Sequence, residues 1–427
     1  MGLDLKWTRR SFMGLVGALT GAVLHPRGTL SFPTAPSAGS DKITGLGSTG
    51  NVYEELGVTT VINGQGTMTV LGGSLMRPEV EAVMALAAQH FVSVPDLEVA
   101  AGKRIAEMLK LPPGYSAIVT SGAAAAMQSG LAGILTGNNP KFIEQIPDLT
   151  GMKSEVIIQK SHRNPFDHQL RTTGIKLVVI ETREDLRKAA NEKTAMMHFS
   201  NYANAQGQIK VDEWIKLAKE LNIPAMIDAA ADTPPVSHLW DYANMGYDLI
   251  CFSGGKAIRG PQCAGLLIGR QDLVANALLN NSPHEDTIGR SQKVGKEEIV
   301  GMIKALELYL SEDQEALTRE WQARLELISK KVAGLPSVTT TYFVPDIANH
   351  VPHVEIKWDR DKIKITAQDA VKTLRSGKPS IVLAMAEKHA FGETRDDTVT
   401  ISSFMLKPGE NVIIADKLYD LLKANSA

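Results

Sequence analysis

The middle of the chain alternates between short apolar runs and longer stretches of mixed polarity. The runs are only a few residues long, and glycine, proline or polar residues bound them, which is typical of buried strands. Helical or loop segments separate successive runs, so we predict an α/β fold with a mostly parallel sheet and helices on both faces. The predicted strands are residues 118–120, 156–159, 177–180, 195–199, 225–228, 249–252 and 264–268.

Apolar residues at helical spacing follow the last of these runs. Ile299, Ile303 and Leu306 predict a helix over 297–310, and a long charged helix is predicted over 312–332. After that the chain alternates between strands and helices, as a small α+β domain does. We therefore predict a linker at 39–50, a large domain with an N-terminal arm at 51–310, and a small C-terminal domain at 311–427. Elements predicted in the small domain are strands 338–343, 353–356 and 398–401 and helices 367–374 and 412–422.

Composition and charge are those of an ordinary globular protein. The chain has 427 residues, 44% hydrophobic and 22% charged, with a formal net charge of −2. This length suffices for two domains, and the slightly acidic balance argues against a nucleic-acid partner. Cys251 falls in a predicted buried strand and Cys263 begins the apolar run 263–268, and we interpret both as buried packing residues without a disulfide. No metal-ligand spacing is present, so we expect no metal ion.

The N-terminus has the pattern of a twin-arginine export signal. Arg9 and Arg10 precede an apolar stretch over 13–24 that is too short and too rich in glycine to span a bilayer comfortably. Small residues and prolines downstream suit cleavage near Ala38. We predict a signal peptide at 1–38, export of the folded protein to the periplasm or beyond, and no stable membrane anchor. The alternative is a disordered basic N-terminus.

A single lysine stands between two of the predicted buried strands. Ser253-Gly254-Gly255-Lys256 follows the run 249–252 directly, and another apolar run comes soon after. Desolvation lowers the pKa of a lysine in such surroundings and frees its amine as a nucleophile, which suits covalent attachment of pyridoxal phosphate. The alternative interpretation is an exposed lysine in a glycine-rich turn.

Two features upstream complete a site of the pyridoxal-phosphate type. Asp228 ends a predicted strand, where a carboxylate facing the pyridine nitrogen would keep the ring protonated. Ser121, Gly122 and Ala123 begin a small-residue helix, whose free backbone N–H groups would bind the phosphate. Taken singly, Asp228 is equally explained as a helix cap, and the small residues as tight packing. In this order, with the lysine last, they predict the aspartate-aminotransferase type of fold, in which Ser253 would add a hydroxyl to the phosphate.

Motifs spread over roughly residues 50–310 match a known family. On them the chain resembles the bacterial selenocysteine synthase-like family of pyridoxal-phosphate enzymes, and more closely its D-glucosaminate-6-phosphate ammonia-lyase branch. The resemblance implies fold type I, with Lys256 as the cofactor lysine and Asp228 as the partner of the ring nitrogen. The matching segments are residues 62–69, 71–74, 119–126, 155–159, 162–165, 252–262, 288–290 and 293–298.

The resemblance also suggests roles for polar side chains. His162 would lay a flat ring over the pyridine, unless it is a loop histidine bonded to the backbone. Asn201 would contact the phenolic oxygen of the cofactor or the substrate, unless it only forms a turn. Arg259 would offer a cation to the cofactor or substrate. Arg290 and Lys293 would hold an anionic part of the ligand, across a dimer interface; a solvated charged turn is the alternative.

One motif departs from the family pattern. Relatives usually have an Arg-x-Gly-Asp-Pro-Pro-Ile element, where this chain has Arg375-Ser376-Gly377-Lys378-Pro379. Arg375 is thus a candidate substrate ligand. A lysine in place of the acid leaves the identity of the substrate open.

These features predict a pyridoxal-phosphate-dependent lyase. The expected reaction is an α,β-elimination on a β-hydroxy amino acid or amino sugar acid, which releases ammonia and a keto acid. A selenocysteine synthase-like transferase, a racemase or another pyridoxal-phosphate enzyme would use the same residues, and a non-catalytic binding protein on this fold is the remaining alternative. We expect a small-molecule substrate and a homodimer or higher homo-oligomer, with the substrate and its stereochemistry left open.

Overall fold

The apolar runs of the middle of the chain lie side by side in one seven-stranded sheet. The computed structural model describes residues 46, 47, 50–387 and 394–426. Strands in chain order are β1 (Val61–Asn63), β2 (Tyr115–Thr120), β3 (Glu155–Gln159), β4 (Lys176–Ile180), β5 (Thr194–Ser200), β6 (Ala225–Asp228), β7 (Leu249–Ser253), β8 (Gly265–Arg270), β9 (Val338–Phe343), β10 (His353–Trp358), β11 (Ser380–Val382), β12 (Ala384–Glu387) and β13 (Thr394–Ser402).

Helices separate most of these strands. In chain order they are α1 (Val52–Glu55), α2 (Pro78–Ala87), α3 (Val94–Leu109), α4 (Gly122–Thr136), α5 (Pro140–Gln145), α6 (His168–Arg171), α7 (Arg183–Ala189), α8 (Val211–Glu220), α9 (His238–Met245), α10 (Gln271–Leu279), α11 (Lys296–Ser311), α12 (Gln314–Val332), α13 (Ala367–Ser376) and α14 (Glu410–Ala424).

The central sheet is mostly parallel, as predicted. Its strand order is β2-β8-β7-β6-β5-β3-β4, and only β8 runs antiparallel to its neighbours. Neighbouring residues of one strand pack into different cores: Val156 lies in a cluster with residues of α4 and α10, and Ile157 in a cluster with residues of α3, α8 and α11. Because both faces are covered, the strands read as continuous apolar runs and not as alternating patterns.

Helix α3 covers the free edge of β2, the outermost strand. The backbones approach closely, because a Cβ on Gly102 would overlap the carbonyl oxygen of Ala117. Glu98, only 1% exposed, accepts a hydrogen bond from the Val119 N–H at 2.9 Å. The carboxyl thus satisfies a donor that an edge strand would otherwise leave unpaired. Burial raises the pKa of Glu98 to about 8, with the Val119 N–H acting in the opposite direction.

A Glu98→Gln variant should therefore become more stable than wild type as the pH rises. Because the pKa is raised on folding, the Glu98 side chain makes its full contribution to the free energy of unfolding below the ordinary pKa of 4.5. That contribution is lost as the pH rises to about 8. Glutamine keeps the acceptor without a charge, so the difference in free energy of unfolding should grow by up to about 1.4 kcal/mol per pH unit. Denaturant titrations from pH 4 to pH 9 measure it, and a difference that does not change with pH would contradict the burial argument.

A second sheet lies in the C-terminal part of the chain. Strands β12, β13, β10 and β9 pair antiparallel in that order, and α12, α13 and α14 contribute to the same buried cluster. Ile62 of β1 also belongs to this cluster, because β1 pairs in parallel with β11, with Ile62 opposite Ile381. The α+β character of this part matches the prediction. The pairing of β1 with β11 was not predicted, and the domain boundary at residue 310 stays a prediction.

The described residues fall into two units, which divide between Val58 and Thr59. In the first, α1 begins after Asn51, whose side chain accepts from the N–H groups of Tyr53 and Glu54. The predicted signal peptide 1–38, with the cleavage site near Ala38, lies outside the described residues, as does most of the predicted linker 39–50. Within the described part of the chain, no helix is both long and apolar enough to cross a membrane.

The two cysteines are free thiols in different environments. Cys251 is fully buried in β7, as predicted. Cys263 is exposed, so the prediction of its burial was wrong. The reason is that β8 begins only at Gly265, and Cys263 belongs to the turn that precedes it.

Candidate active site

One edge of the central sheet carries most of the predicted site residues. Asp228 is the last residue of β6, Ser253 is the last of β7, and Ser121 directly follows β2. Their strands run in the same direction, so the carboxyl ends meet at this edge, where α/β proteins place their ligands. A cavity of about 370 Å³ lies there, within the range of roughly 300–1,000 Å³ typical of ligand sites. Predicted residues in its lining are Ser121, Gly122, Ala123, Asp228, Ser253 and Lys256.

The N-terminus of α4 forms one end of the cavity. The Ser121 side chain makes no capping hydrogen bond, and the first turn contains no acidic residue. Gly122 has a φ of +84°, and a Cβ placed on it would meet nothing within 4 Å. On the other side, a Cβ on Gly265 would lie 2.5 Å from the carbonyl carbon of Gly122, so β8 packs directly against the helix start. Small residues therefore leave room beside free backbone N–H groups, as a phosphate site requires.

Lys256 lies in the tight turn that follows β7. Neither glycine before it tolerates a side chain: a Cβ on Gly254 would overlap Met302, and one on Gly255 would overlap Gln262. Burial lowers the pKa of the Lys256 amine, while the carboxylates of Asp228 and Asp232 act in the opposite direction. The net lowering favours the neutral amine, which is the nucleophilic form.

Asp228 is the second charged group of the cavity. Its Oδ1 atom accepts a hydrogen bond from the Ala230 N–H at 3.1 Å. Burial raises the pKa of this carboxyl, and the Ala230 N–H and Lys256 oppose the rise. A half-buried carboxylate, a half-buried amine and a free helix N-terminus around one cavity fit pyridoxal phosphate, which needs partners for its ring nitrogen, aldehyde and phosphate.

A second carboxyl, Asp232, lines the same cavity and was not predicted. Its Oδ2 atom accepts from Asn201 Nδ2 at 2.6 Å and from the Tyr242 hydroxyl at 2.9 Å. Burial is the main reason that its pKa rises to about 7. Its position four residues after Asp228, within a run of small residues, is the sequence signal that could have identified it.

Replacing Asp232 should change how the reactivity of Lys256 depends on pH. The Asp232 carboxylate raises the pKa of Lys256, so Asp232→Asn should lower that pKa further. Covalent capture of pyridoxal phosphate by the cofactor-free protein should then reach half its maximal rate at a lower pH than in wild type. Visible absorbance after mixing measures the rate, and the exposed Asp361→Asn serves as control. A midpoint at the wild-type pH or above would contradict the assignment.

His162 does not line the cavity, in contrast to its predicted place over the cofactor ring. Its side chain is fully buried, and its ring packs edge-on against Phe199 with centroids 4.4 Å apart. Nδ1 accepts from the Ser200 N–H at 3.2 Å, and Nε2 lies 3.1 Å from Nε2 of Gln159. Burial, the largest cause, lowers its pKa to about 3, so the imidazole is neutral. The short helical turn Lys160–His162 directs the ring into the protein, and the aromatic side chains at the cavity are Phe166 and Tyr202.

The remaining predicted ligands lie outside this lining. Asn201 is buried behind Asp232, to which it donates. Arg259 lines a different cavity. Lys293 and Arg375 are exposed, and Arg290 is half-buried. Among the described residues, no group of three or more histidine, cysteine or acidic side chains is placed to hold a metal ion.

Comparison with known proteins supports both the fold and the resemblance. The aminotransferase class-V family model matches residues 98–282. D-glucosaminate-6-phosphate ammonia lyase of Salmonella typhimurium is 27% identical over 352 residues, which cover 80% of this chain and 91% of that protein. L-seryl-tRNA(Sec) selenium transferase of Mannheimia succiniciproducens is 25% identical over 381 residues, which cover 79% of this chain and 73% of that protein.

Solved structures show the same architecture. That of a D-glucosaminate-6-phosphate ammonia-lyase superimposes with a TM-score of 0.73 and 24% identity, covering 88% of this chain and 99% of the other. An aspartate aminotransferase of Thermus thermophilus superimposes with a TM-score of 0.52 and 11% identity, covering 86% of this chain and 99% of the other. The predicted fold, that of fold-type I pyridoxal-phosphate enzymes, is therefore confirmed.

Proposed function

We propose that this chain, a pyridoxal-phosphate-dependent enzyme of fold type I, is a lyase that eliminates the β-hydroxyl of an amino acid or amino sugar acid and releases ammonia and a keto acid. The observation that carries the proposal is the meeting of Lys256, Asp228 and the start of α4 at one cavity. The similarity to an ammonia lyase whose name specifies an amino sugar acid supports the choice of reaction and substrate class.

Pyridoxal phosphate, when bound, joins the substrate amine covalently and draws electrons away from the substrate's α-carbon. The backbone N–H groups at Gly122 and Ala123 would hold the phosphate, with Ser121 and Ser253 adding hydroxyls. The Asp228 carboxylate would hold a proton on the pyridine nitrogen. Phe166 and Tyr202 are the aromatic side chains available to cover the ring and exclude water.

Lys256 would carry out the proton transfers. Its amine has a lowered pKa, so a neutral form is available to take the proton from the α-carbon as general base. The resulting ammonium can return that proton to the departing β-hydroxyl oxygen, which leaves as water. The enamine product then tautomerises and hydrolyses to the keto acid and ammonia.

A substrate panel tests the reaction. Purified, cofactor-loaded protein is incubated with D- and L-β-hydroxy amino acids and with amino sugar acids, each sugar acid with and without a 6-phosphate. The proposal expects ammonia and keto acid in equal amounts from at least one compound. Racemised substrate without either product would replace the lyase by a racemase. Absence of any conversion, with the cofactor bound, would favour a binding protein.

A selenium transferase is the second candidate, since such enzymes occur among the relatives. It would have to bind a charged tRNA, which the slightly acidic net charge of −2 does not favour. A filter-binding titration with seryl-tRNA at physiological salt separates the two candidates. Specific binding with transfer of selenium to the seryl group would reject the lyase.

We also propose that the protein is a homo-oligomer. Large apolar side chains are exposed close together in sequence: Phe91 is fully exposed, and Val70, Leu86 and Val99 are each more than 60% exposed. Exposed apolar side chains of this size are typical of a protein interface where they lie together in one patch. Arg290 and Lys293, absent from the cavity of their own chain, would then serve the site of a partner, as the resemblance implies. Light scattering of the purified protein gives the mass, and a monomer at micromolar concentration would contradict the proposal.

Export by the twin-arginine route is a further part of the proposed function, motivated by Arg9 and Arg10. The route carries folded proteins, so the cofactor would be bound before transport. An Arg9→Lys, Arg10→Lys double variant should leave the unprocessed precursor in the cytoplasm. Fractionation followed by immunoblotting measures this, and processed protein outside the cytoplasm at the wild-type level would show that another route is used.

A further inference from the structure

A second cavity, of about 240 Å³, lies next to the lysine turn. It shares no lining residue with the first cavity, although the two border the same segments of the chain. Lys256 lines the first and Ala257 the second, and in the same way Asp232 lines the first and Pro234 the second. This cavity is therefore a separate space that is in contact with the turn carrying the proposed cofactor lysine.

One of the three arginines in its lining makes no ion pair with a described residue. Arg77 forms an ion pair with Glu312, and Arg324 forms one with Glu320. Arg259 donates from Nε to the carbonyl oxygen of Leu75 at 2.8 Å and makes no ion pair within the described part of the chain. Arg259 is half-buried. Burial is the main cause that lowers its pKa and the nearby Arg77 adds to it, while the carboxylates of Glu312 and Glu79 act in the opposite direction. An anion bound here would offset both the loss of solvation and the repulsion from Arg77.

A buried hydroxyl in the same cavity also lacks a partner. Tyr309 is only 2% exposed, and its hydroxyl has no partner at hydrogen-bond geometry among the described residues. The Thr233 side chain lies close enough to lower the pKa of the hydroxyl, against the larger effect of burial. Tyr309 and Arg259 are close enough to the Arg77–Glu312 pair for that pair to shift both pKa values. An unpaired buried hydroxyl is costly, and a bound acceptor would satisfy it.

The lining of the cavity also contains aromatic side chains. Trp321 and Phe404 pack edge to face with ring centroids 5.7 Å apart, and both rings are more than 90% buried. Leu317 and Met405 extend this apolar lining. The lining thus contains a guanidinium and a hydroxyl that suit a charged group, and apolar side chains that suit a hydrocarbon body.

We propose that this cavity binds a small organic carboxylate with an aromatic or branched apolar body. The carboxylate would lie between Arg259 and Tyr309, because a guanidinium with free terminal nitrogens binds a carboxylate in bidentate fashion. The body would pack against Trp321 and Phe404. Because the site borders the lysine turn, a bound carboxylate would lie next to the segment that carries Lys256 and outside the reaction cavity.

The probe for this site is 3-phenylpropionate, titrated calorimetrically into the cofactor-loaded protein. Two further compounds separate the contributions: 3-phenylpropanol has the same body without the charge, and inorganic phosphate has charge without the body. The proposal expects clear binding of the acid and much weaker binding of both others. It also expects Arg259→Gln to weaken binding of the acid by about tenfold or more, while the exposed Arg319→Gln on α12 leaves it unchanged.

Tyr309→Phe keeps the test informative if Arg259→Gln fails to fold. Removal of an unpaired hydroxyl should weaken binding of the probe and leave the free energy of unfolding without probe unchanged or higher. A purely structural role for the hydroxyl would instead lower that free energy. Equal binding by wild type and both variants would overturn the proposal. So would competition between the probe and pyridoxal phosphate, which would place the probe in the first cavity.

Discussion

Replacement of Lys256 by alanine should abolish the covalent attachment of pyridoxal phosphate and reduce turnover below detection. The physical reason is that this half-buried side chain supplies the only amine lining the cavity in the described structure. Loss of a general base alone costs about 10²–10⁴-fold in rate, and the loss of covalent capture adds to that. Turnover on the substrate identified by the panel, together with the visible absorbance of the purified protein, measures both effects.

The matched control is Lys372→Ala, which removes an exposed lysine from α13. It should keep the visible band and the wild-type rate. Added amines such as methylamine should restore part of the turnover to Lys256→Ala, since a free base can then enter the cavity. Wild-type turnover in Lys256→Ala would remove this lysine from the mechanism.

Replacement of Asp228 by asparagine should reduce turnover far more than it reduces cofactor content. Asparagine fits the same space but carries no charge, so it cannot stabilise a proton on the pyridine nitrogen. The start of α4 and Lys256 remain to hold the phosphate and the covalent bond. Loss of one electrostatic stabiliser typically costs about 10²–10³-fold in turnover, and we expect a decrease of that order with nearly full occupancy.

Cofactor content, from the absorbance released in alkali, and turnover should be measured on the same preparation. Asp361→Asn, at an exposed position, controls for a general effect of removing a carboxylate. If turnover in Asp228→Asn fell only in proportion to cofactor content, Asp228 would be a binding residue without a part in the chemistry.

The central sheet and the position of the site followed from local sequence patterns. Strands buried on both faces are continuous apolar runs, so β6 and β7 could be placed from sequence, and their last residues are Asp228 and Ser253. Because parallel strands end at a common edge, side chains at those ends converge whatever the details of the loops. Physical reasoning alone therefore brought Asp228, Ser253 and the start of α4 together.

The direction of side chains in the connecting loops could not be predicted in this way. His162 follows β3 closely, but a single helical turn directs its ring into the core. Arg259 has a φ of +58°, in the left-handed region, and its side chain lines the second cavity instead of the first. Such turns depend on contacts distant in sequence. The same limit applies to β1, whose partner β11 lies more than 300 residues away in the chain.

Reduction of the wild-type protein with borohydride, followed by peptide mass spectrometry, shows directly whether Lys256 carries the cofactor. Borohydride fixes pyridoxal phosphate on the amine that holds it, and proteolysis then locates that amine. We expect loss of the visible band and a phosphopyridoxyl group on the peptide that contains Lys256, in nearly every molecule. A cofactor fixed mainly on another lysine, or no cofactor in protein purified with pyridoxal phosphate, would contradict this expectation.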